Sequence, residues 1–565
     1  MGETIMWEGN EIGIGCKTVM EDLAFWAKEK PDVSFLVDLK AGEQIPVSWA
    51  ETAETVDRAA RAIHTHFGKS GHKTAILSKN RAHWILADLA ILASGSVAVP
   101  VFTTMRPETF HYVLDFADVE LLFLGESANW AEVKAHVPAG ITIVTLPGVD
   151  AAEGDMTWDE FLALGDGKPT PQGHGPEDVA TLIFTSGTTG KPKGVMHSMG
   201  SLGRATHTLV EQTESGTGWN FISYLPLAHL AERLIIELHA LRIGGTIFFN
   251  ESLETFGQDL ALAKPNYFFG VPRIWDKLSS AVIAGTEGGT EALRAALTGP
   301  HADMAAAAVR DKLGLASVEK LVSTTAPVPP HIKEWFKLFG LPLMDGYGQT
   351  EILPLATTPM GSNKPHTVGR PAPGVEVRIT EEGELIARGP GCSLGYYKMP
   401  EKTAETFRDG WVYTGDRAEL DEDGFVILKG RVKETFKTAK GKYVAPMPIE
   451  AKFLESDYLD QACLVGHGMP QTVLLLVIAE LAEGLARDAI EAHVRERVAE
   501  INPTLERHAQ VGAVLVAPEA WTIENGILTH TMKVRRERVL DQFGDAIDKA
   551  AGAMGSGAAL RVEFL

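Results

Sequence analysis

The sequence predicts an α/β protein: a large N-terminal domain of layered α/β sheets with a small β-rich subdomain, then a smaller α+β C-terminal domain. Three observations carry this. Helix-like and strand-like stretches alternate from residue 20 to near residue 250, as expected of α/β layers with mostly parallel sheets. Over residues 365–430 the texture changes to short apolar pairs set between Gly, Pro and Asp, the pattern of small β-hairpins. Beyond Lys433 the pattern resets for roughly 120 residues, a usual domain size. The expected division is 1–430 for the large domain, with its β-rich part at 365–430, 431–550 for the C-terminal domain, and 551–565 for a low-complexity tail.

Residues 49–63 place Ala53, Val56, Ala60 and Ile63 on one helical face, and 73–77 read as a strand. Residues 84–102 are the most apolar segment, but Asp88, Gly95, Ser96 and Pro100 make it a buried helix and strand and not a membrane span. Residues 141–146 read as a strand, and 182–184 as a buried one reached through a polar loop at 173–176. Residues 284–308 are rich in Ala and Gly and read as surface helix and loop. Asp421-Glu422-Asp423-Gly424 reads as a turn between apolar segments. In the last unit, 463–465, 472–478 and 511–516 read as strands, and 487–501 and 534–550 as helices; Ile490, Val494, Val498 and Ile501 share one face of the first.

Lys and Arg number 52 against 74 Asp and Glu, a formal charge of −22. No basic excess exists to displace counterions from nucleic acid, so nucleic acid is not an expected partner; a local basic site for nucleotide phosphates stays compatible. Cys16, Cys392 and Cys463 form neither a metal-ligand pattern nor a disulfide framework, which fits a reducing cytoplasm. Residues 1–15 show no signal-peptide pattern. Peripheral membrane contact and a homodimer stay open.

Chemistry concentrates first at residues 181–198. The apolar run is followed by Thr185, Ser186, Gly187, Thr188, Thr189 and Gly190, closed by Lys191, with Lys193 beyond. Glycines let backbone N–H groups approach an anion, hydroxyls add donors and lysines add positive charge, which together suit a polyphosphate. A Walker A loop is excluded: Thr185 stands where its first glycine belongs, and Pro192 where its Ser or Thr belongs. A chance surface turn would not carry so unbroken a run of hydroxyls and glycines.

Next comes Asp345-Gly346-Tyr347-Gly348-Gln349-Thr350-Glu351. Flanking glycines leave the Tyr347 ring able to lie on a flat ligand such as adenine. Thr350 can donate to a phosphate, and Glu351 is a hard oxygen ligand for Mg²⁺. Alone, the stretch reads equally as a strand-end turn with a surface Glu. In Thr414-Gly415-Asp416 the carboxylate can accept from both hydroxyls of a ribose, or be an ordinary hairpin Asp. Gly430-Arg431-Val432-Lys433-Glu434 is charged and sits at the texture change, where a solvated linker is the plain alternative.

Taken together and in order, these stretches resemble the adenylate-forming superfamily, and residues 223–233 with 271–275 are most similar to long-chain fatty acyl-CoA synthetases. The resemblance runs from about residue 20 to about residue 545. It implies a two-step enzyme with ATP and Mg²⁺, CoA as co-substrate and a fatty acid as substrate: acyl-AMP and pyrophosphate form first, then acyl-CoA and AMP. It implies catalytic roles for Lys533, Glu351, Thr185 and His229, with Glu351 the metal ligand and His229 bordering the acyl pocket. ATP and AMP would contact 185–191, Thr325, Ala326, 345–348, Thr350, Asp416, Arg431 and Lys533. Lys433 would be the hinge of a mobile C-terminal domain, and Gly441 would line the CoA channel. Thr324 stands where the family often has Gly, and Ala439-Lys440 where many members have Ser-Gly or Gly-Gly. Arg535 and Arg536 are expected to cap a helix. The alternatives are an acyl-AMP ligase that loads a carrier protein, a CoA ligase for an aryl or short-chain acid, and an ATP-binding protein without turnover.

Overall fold

The computed structural model describes residues 4–6, 17–68, 70–185, 191–325, 328, 330–359, 362, 364, 366–456, 458–479, 482, 484–523, 525–529, 533–554 and 560–565. Helices begin where the sequence supplies caps. Ser48 accepts from Glu51 N while Glu51 returns a bond to Ser48 N, opening the helix Trp49–Phe67, which Gly68 closes at φ +73°. The same reciprocal cap, Thr18 with Glu21, opens Val19–Glu29. The apolar segment resolves into the helix Ala82–Ala93 and the strand Val97–Val101, almost wholly buried.

An eight-stranded sheet forms the centre of the large domain. Its inner strands, among them Lys73–Leu77, Val97–Val101, Val119–Leu124 and Thr142–Thr145, are parallel. At one edge Val179–Thr185 pairs antiparallel with Lys193–Ser198, Thr185 opposite Lys193. The two strands pair as a hairpin; residues 186–190 of the expected phosphate stretch, between them in sequence, lie outside the described residues. A four-stranded sheet packs around Ser34–Lys40. A five-stranded one runs from Tyr267–Gly270 through Lys320–Ser323 and Leu343–Gln349 to Ile352–Thr357 and Arg370–Pro371. The β-rich part is an antiparallel sheet of Glu376–Ile379, Glu384–Arg388, Trp411–Leu420 and Val426–Arg431, with Thr4–Met6 on its edge. Asp421 Oδ1 accepts from Asp423 N and Phe425 N, which makes the expected turn.

The C-terminal domain has the sheet Leu459–Val465, Thr472–Ile478, Val511–Val516 and Arg561–Phe564, covered by Arg487–Ile501 and Arg536–Gly552. Its apolar residues fill two clusters, one on each face. One expectation fails here. The end of the chain is not a plain tail, because Arg561–Phe564 adds a strand beside Val511–Val516, with Phe564 under the Arg487 guanidinium, 4.3 Å from its ring centre. The alternation of Arg561, Val562, Glu563 and Phe564 is the period-two signal that the glycines before it obscured.

Candidate active site

A cleft of about 2720 Å³ lies between the two domains. Thr185, His229, Thr325, Asp345, Gly346, Tyr347, Gly348, Thr350, Glu351, Asp416, Arg431, Lys433 and Lys533 all line it. Residues from seven separate stretches of sequence thus meet at one place. Ala326, with Ser186 to Gly190, lies outside the described residues. Two expected residues are not on this wall. Lys191 holds its ammonium 4.9 Å from the centre of the Tyr112 ring. Gly441 sits at φ +74° in the turn joining Phe436–Lys437 to Tyr443–Val444, its N–H bound to Thr438 O.

Local structure explains each placement. Thr350 and Glu351 form the two-residue link between the antiparallel strands Leu343–Gln349 and Ile352–Thr357, so the carboxylate projects from a hairpin end. A Cβ on Gly346 would lie 2.8 Å from the Thr324 methyl, so the glycine makes room for the threonine that departs from the family pattern. Thr325 holds φ +75°, a costly conformation for a β-branched residue, on the cleft wall. Asp416 follows Gly415 (φ +71°) and stands opposite Arg431 in the next strand.

Asp416 is the most engaged group of the site. Arg431 Nε donates to its Oδ1 at 2.9 Å, while Gln349 Nε2 at 2.6 Å and the Tyr347 hydroxyl both donate to Oδ2. Arg431 also donates to Thr414 O at 3.2 Å. Burial, and then the Asp416 charge, push the Tyr347 phenol well up, so it remains a donor. Asp345 pairs with Lys333; burial pushes its carboxyl up and Lys333 opposes that. Glu351 accepts from the Tyr396 hydroxyl at 2.6 Å, and Lys193 Nζ lies 3.2 Å from the same hydroxyl.

His229 opens the helix Leu230–Glu232, its Nδ1 accepting from Ala231 N at 3.2 Å. Burial, with Lys533 as the second cause, pushes it down to about 4, so it is a neutral imidazole near pH 7. Lys533 comes from the C-terminal domain. Its N–H is bound to Thr529 Oγ1 and its C=O to Thr529 N, closing a small loop whose residues 530–532 lie outside the described set. The side chain is exposed in the wide cleft, yet desolvation by the surrounding protein lowers its ammonium pKa, Arg431 adds to that, and Asp416 and Glu434 oppose it. The stretch expected to be the hinge is tied on both sides: Val432 N to Gly415 O, and Thr435 N to Arg431 O.

The sequence reading missed Gln349, Tyr396 and Lys333, and gave Lys193 only a positive charge for phosphates. Gln349 lay inside a recognised motif and was legible. Tyr396 and Lys333 were not, since neither stands in a stretch with its own chemical pattern. Arg536 is corrected outright: it is no mere cap, but donates to Glu450 at 2.7 Å, Leu464 O at 2.7 Å and Cys463 Sγ at 3.0 Å. Trp275 of the 271–275 stretch is core, sealed against Phe268 and Phe336.

Two α/β domains enclosing a cleft lined with carboxylate, hydroxyl, aromatic and ammonium groups define a class of nucleotide-using ligases. The family model described as AMP-binding enzyme matches residues 23–397, and that of the AMP-binding enzyme C-terminal domain matches 433–553. The chain belongs to this AMP-binding family of adenylate-forming ligases. It is similar to a long-chain-fatty-acid–CoA ligase of Mycobacterium bovis, 29% identical with 92% of this chain and 95% of that protein covered. It is also similar to the peroxisomal long chain acyl-CoA synthetase 6 of Arabidopsis thaliana, 27% identical over 92% of this chain and 83% of that one. In fold it matches the adenylation domain of a carboxylate reductase from Mycobacterium chelonae, with TM-score 0.80, 21% identity and coverage of 95% and 91%. The corresponding domain from Segniliparus rugosus, solved with AMP and a co-purified carboxylic acid, gives 0.79 at 21% identity, covering 95% of this chain and 94% of that one. Among the described residues no helix is long and apolar enough to cross a membrane.

Proposed function

We propose that the chain activates a medium- or long-chain fatty acid and transfers it to CoA. The observation that carries this reading is the meeting of Lys533, from the C-terminal domain, with Asp416 and Arg431 in one cleft that also holds Thr185 and Glu351. In the first step the fatty carboxylate attacks the α-phosphorus of ATP; the P–O bond to pyrophosphate breaks and acyl-AMP forms. Two anions must approach, so the protein's work is positioning and charge stabilisation. Lys533 bridges the carboxylate and the α-phosphate. Thr185, with residues 186–190, holds the phosphates, Thr350 adds a donor, and Asp416 and Arg431 hold the ribose. Tyr347, with 345–348 and 325–326, lines the adenine.

Mg²⁺ fits this donor set. Among the described residues no group of three or more His, Cys, Asp or Glu could hold a metal alone, whereas one carboxylate plus substrate phosphates is the usual Mg²⁺ arrangement, and Glu351 supplies the carboxylate. Bound there, the ion would neutralise charge on the phosphates. In the second step the CoA thiolate attacks the acyl carbon and AMP leaves. Residues 431–550 act as a lid over the body 1–430, turning on Lys433 to remove Lys533 between the steps; Gly441, away from the cleft wall here, would reach the CoA path only after that turn.

The preference for longer chains rests on the apolar stretch 225–230 and on the long-chain enzymes among the chain's relatives. A panel of acids from acetate to palmitate, scored by AMP formation with CoA as sole acceptor, tests the whole reading. Dodecanoate should exceed acetate in kcat/KM. Pyrophosphate release without thioester would favour a carrier-protein acceptor, and no fatty-acid-dependent pyrophosphate release would end the proposal.

A further inference from the structure

We propose that Tyr396 is a positioning residue that aims the Glu351 carboxylate at the divalent cation. The inference rests on the reading of Glu351 as that cation's ligand. Tyr396 lies on the two-residue strand Gly395–Tyr396, which pairs with Lys193–Ser198, the strand that returns from the phosphate stretch. It is 3% exposed. Its hydroxyl gives its proton to Glu351 Oε1 at 2.6 Å and accepts from Lys193 Nζ at 3.2 Å. The ammonium also sits 4.2 Å from the ring centre. A lysine can only donate and a carboxylate only accept, so the direction of both bonds is determined.

The phenol is itself held. Tyr396 N donates to Thr403 Oγ1 at 3.0 Å, and the ring meets Phe407 edge-on at 5.9 Å. Gly395 has φ +114°, and a Cβ there would lie 2.5 Å from the Thr403 methyl, so only glycine lets this strand press on the helix Pro400–Thr406. The hairpin end that carries Glu351 is clamped by neighbours of the same elements: Ser393 N donates to Glu351 O at 2.9 Å, and His197 Nε2 to Thr350 O at 2.7 Å. Backbone and side chain of Glu351 are thus fixed together. One oxygen is occupied by the phenol, and a carboxylate has further lone pairs for a cation. Outer partners of this kind orient a metal ligand, and their loss typically costs about 10–100-fold in metal affinity.

The test measures Mn²⁺ binding by electron paramagnetic resonance in the presence of α,β-methylene-ATP, which cannot react at the α-phosphorus. Tyr396→Phe should weaken Mn²⁺ by about tenfold. Glu351→Gln should weaken it at least as much, and the double variant should be no worse than Glu351→Gln, because the phenol acts only through the carboxylate. Thr403→Val loosens the strand but leaves the phenol and the carboxylate, and should weaken Mn²⁺ less than Tyr396→Phe. Unchanged affinity in Tyr396→Phe beside a weakened Glu351→Gln overturns the positioning role alone. Additive losses in the double variant, or equal losses in Thr403→Val and Tyr396→Phe, overturn it too. Unchanged affinity in Glu351→Gln removes the reading of Glu351 on which it rests.

Discussion

Two carboxylate–guanidinium clusters in the large domain use the same chemistry in opposite ways. Beneath the strand Val179–Thr185, Arg233 donates to both oxygens of Asp88 at 2.8 and 2.6 Å and to Thr181 Oγ1 at 2.8 Å, with Glu237 3.8 Å away. Asp88, Arg233 and Glu237 are all 0% exposed. Burial pushes the Asp88 carboxyl up; burial and then Asp88 push Glu237 well up, so one cation faces two carboxyls and Glu237 keeps its proton. In the cleft, Asp416 has donors from three residues, but Arg431 is 39% exposed and its neighbours line open space. The sealed cluster cannot exchange partners and serves as an anchor: Thr181 passes its bond on to Ala98 O in the next strand. The open one can trade the Tyr347 and Gln349 donors for hydroxyls of a ligand.

The sharpest way to break the comparison is to remove each cation. Arg233→Met leaves the Asp88 carboxylate buried without its counter-charge and should cost about 3–5 kcal/mol of stability, read from urea unfolding of the whole chain. A shift below about 1 kcal/mol would put the sealed cluster on the footing of an exposed pair. In the cleft, Lys533→Ala should leave stability nearly unchanged and slow acyl-AMP formation on the order of 10²–10³-fold, about 3–4 kcal/mol. AMP release from supplied acyl-AMP and CoA should survive. Equal losses in both half-reactions would mean that Lys533 binds AMP in both states or holds the fold.

Smaller effects sharpen the contrast. Arg536→Ala strands Glu450, which is mostly buried, and should destabilise the chain by about 2–3 kcal/mol, seen as a lowered unfolding midpoint; a mild result would restore the helix-cap reading. Glu232, directly before Arg233 in sequence, accepts from Ser223 Oγ and Tyr224 N, and burial pushes it to about 8 from 4.5. Between those values the unfolded chain has lost this proton and the folded chain keeps it. Raising the pH therefore favours unfolding, by at most about 1.4 kcal/mol per unit. Glu232→Gln cannot ionise, so its stability should fall less from pH 5 to 8 than that of the wild type; parallel curves would refute the assignment. Smallest is the pair that joins the domains at 3.1 Å, Arg273 and Asp460, whose arginine is 49% exposed. Arg273→Ala should change the rate of proteolytic cleavage within 431–443 by less than about tenfold, and by less still at high salt. A larger change would make this pair a true latch.

Local information was enough for much of the architecture. Caps at Thr18 and Ser48, the apolar period of Trp49–Phe67 and the strands of the C-terminal sheet follow from residues within a turn or two of one another, where propensity and burial agree. Thr185, Tyr347, Thr350, Glu351 and Asp416 were legible because residue types at short spacing suggested phosphate, ribose and metal chemistry; Thr325 and Lys533 were legible only through the family resemblance. Partners were not legible. Glu351 meets Tyr396 45 residues on, Arg233 meets Asp88 145 residues back, and Arg536 meets Glu450 86 residues back. Nor could the sequence say that Lys191 faces Tyr112, or that the last residues join a sheet. Residue type and spacing determine which groups can do the chemistry. Which of them are sealed, paired or left facing the cleft depends on contacts between distant strands, and only the packed chain decides those.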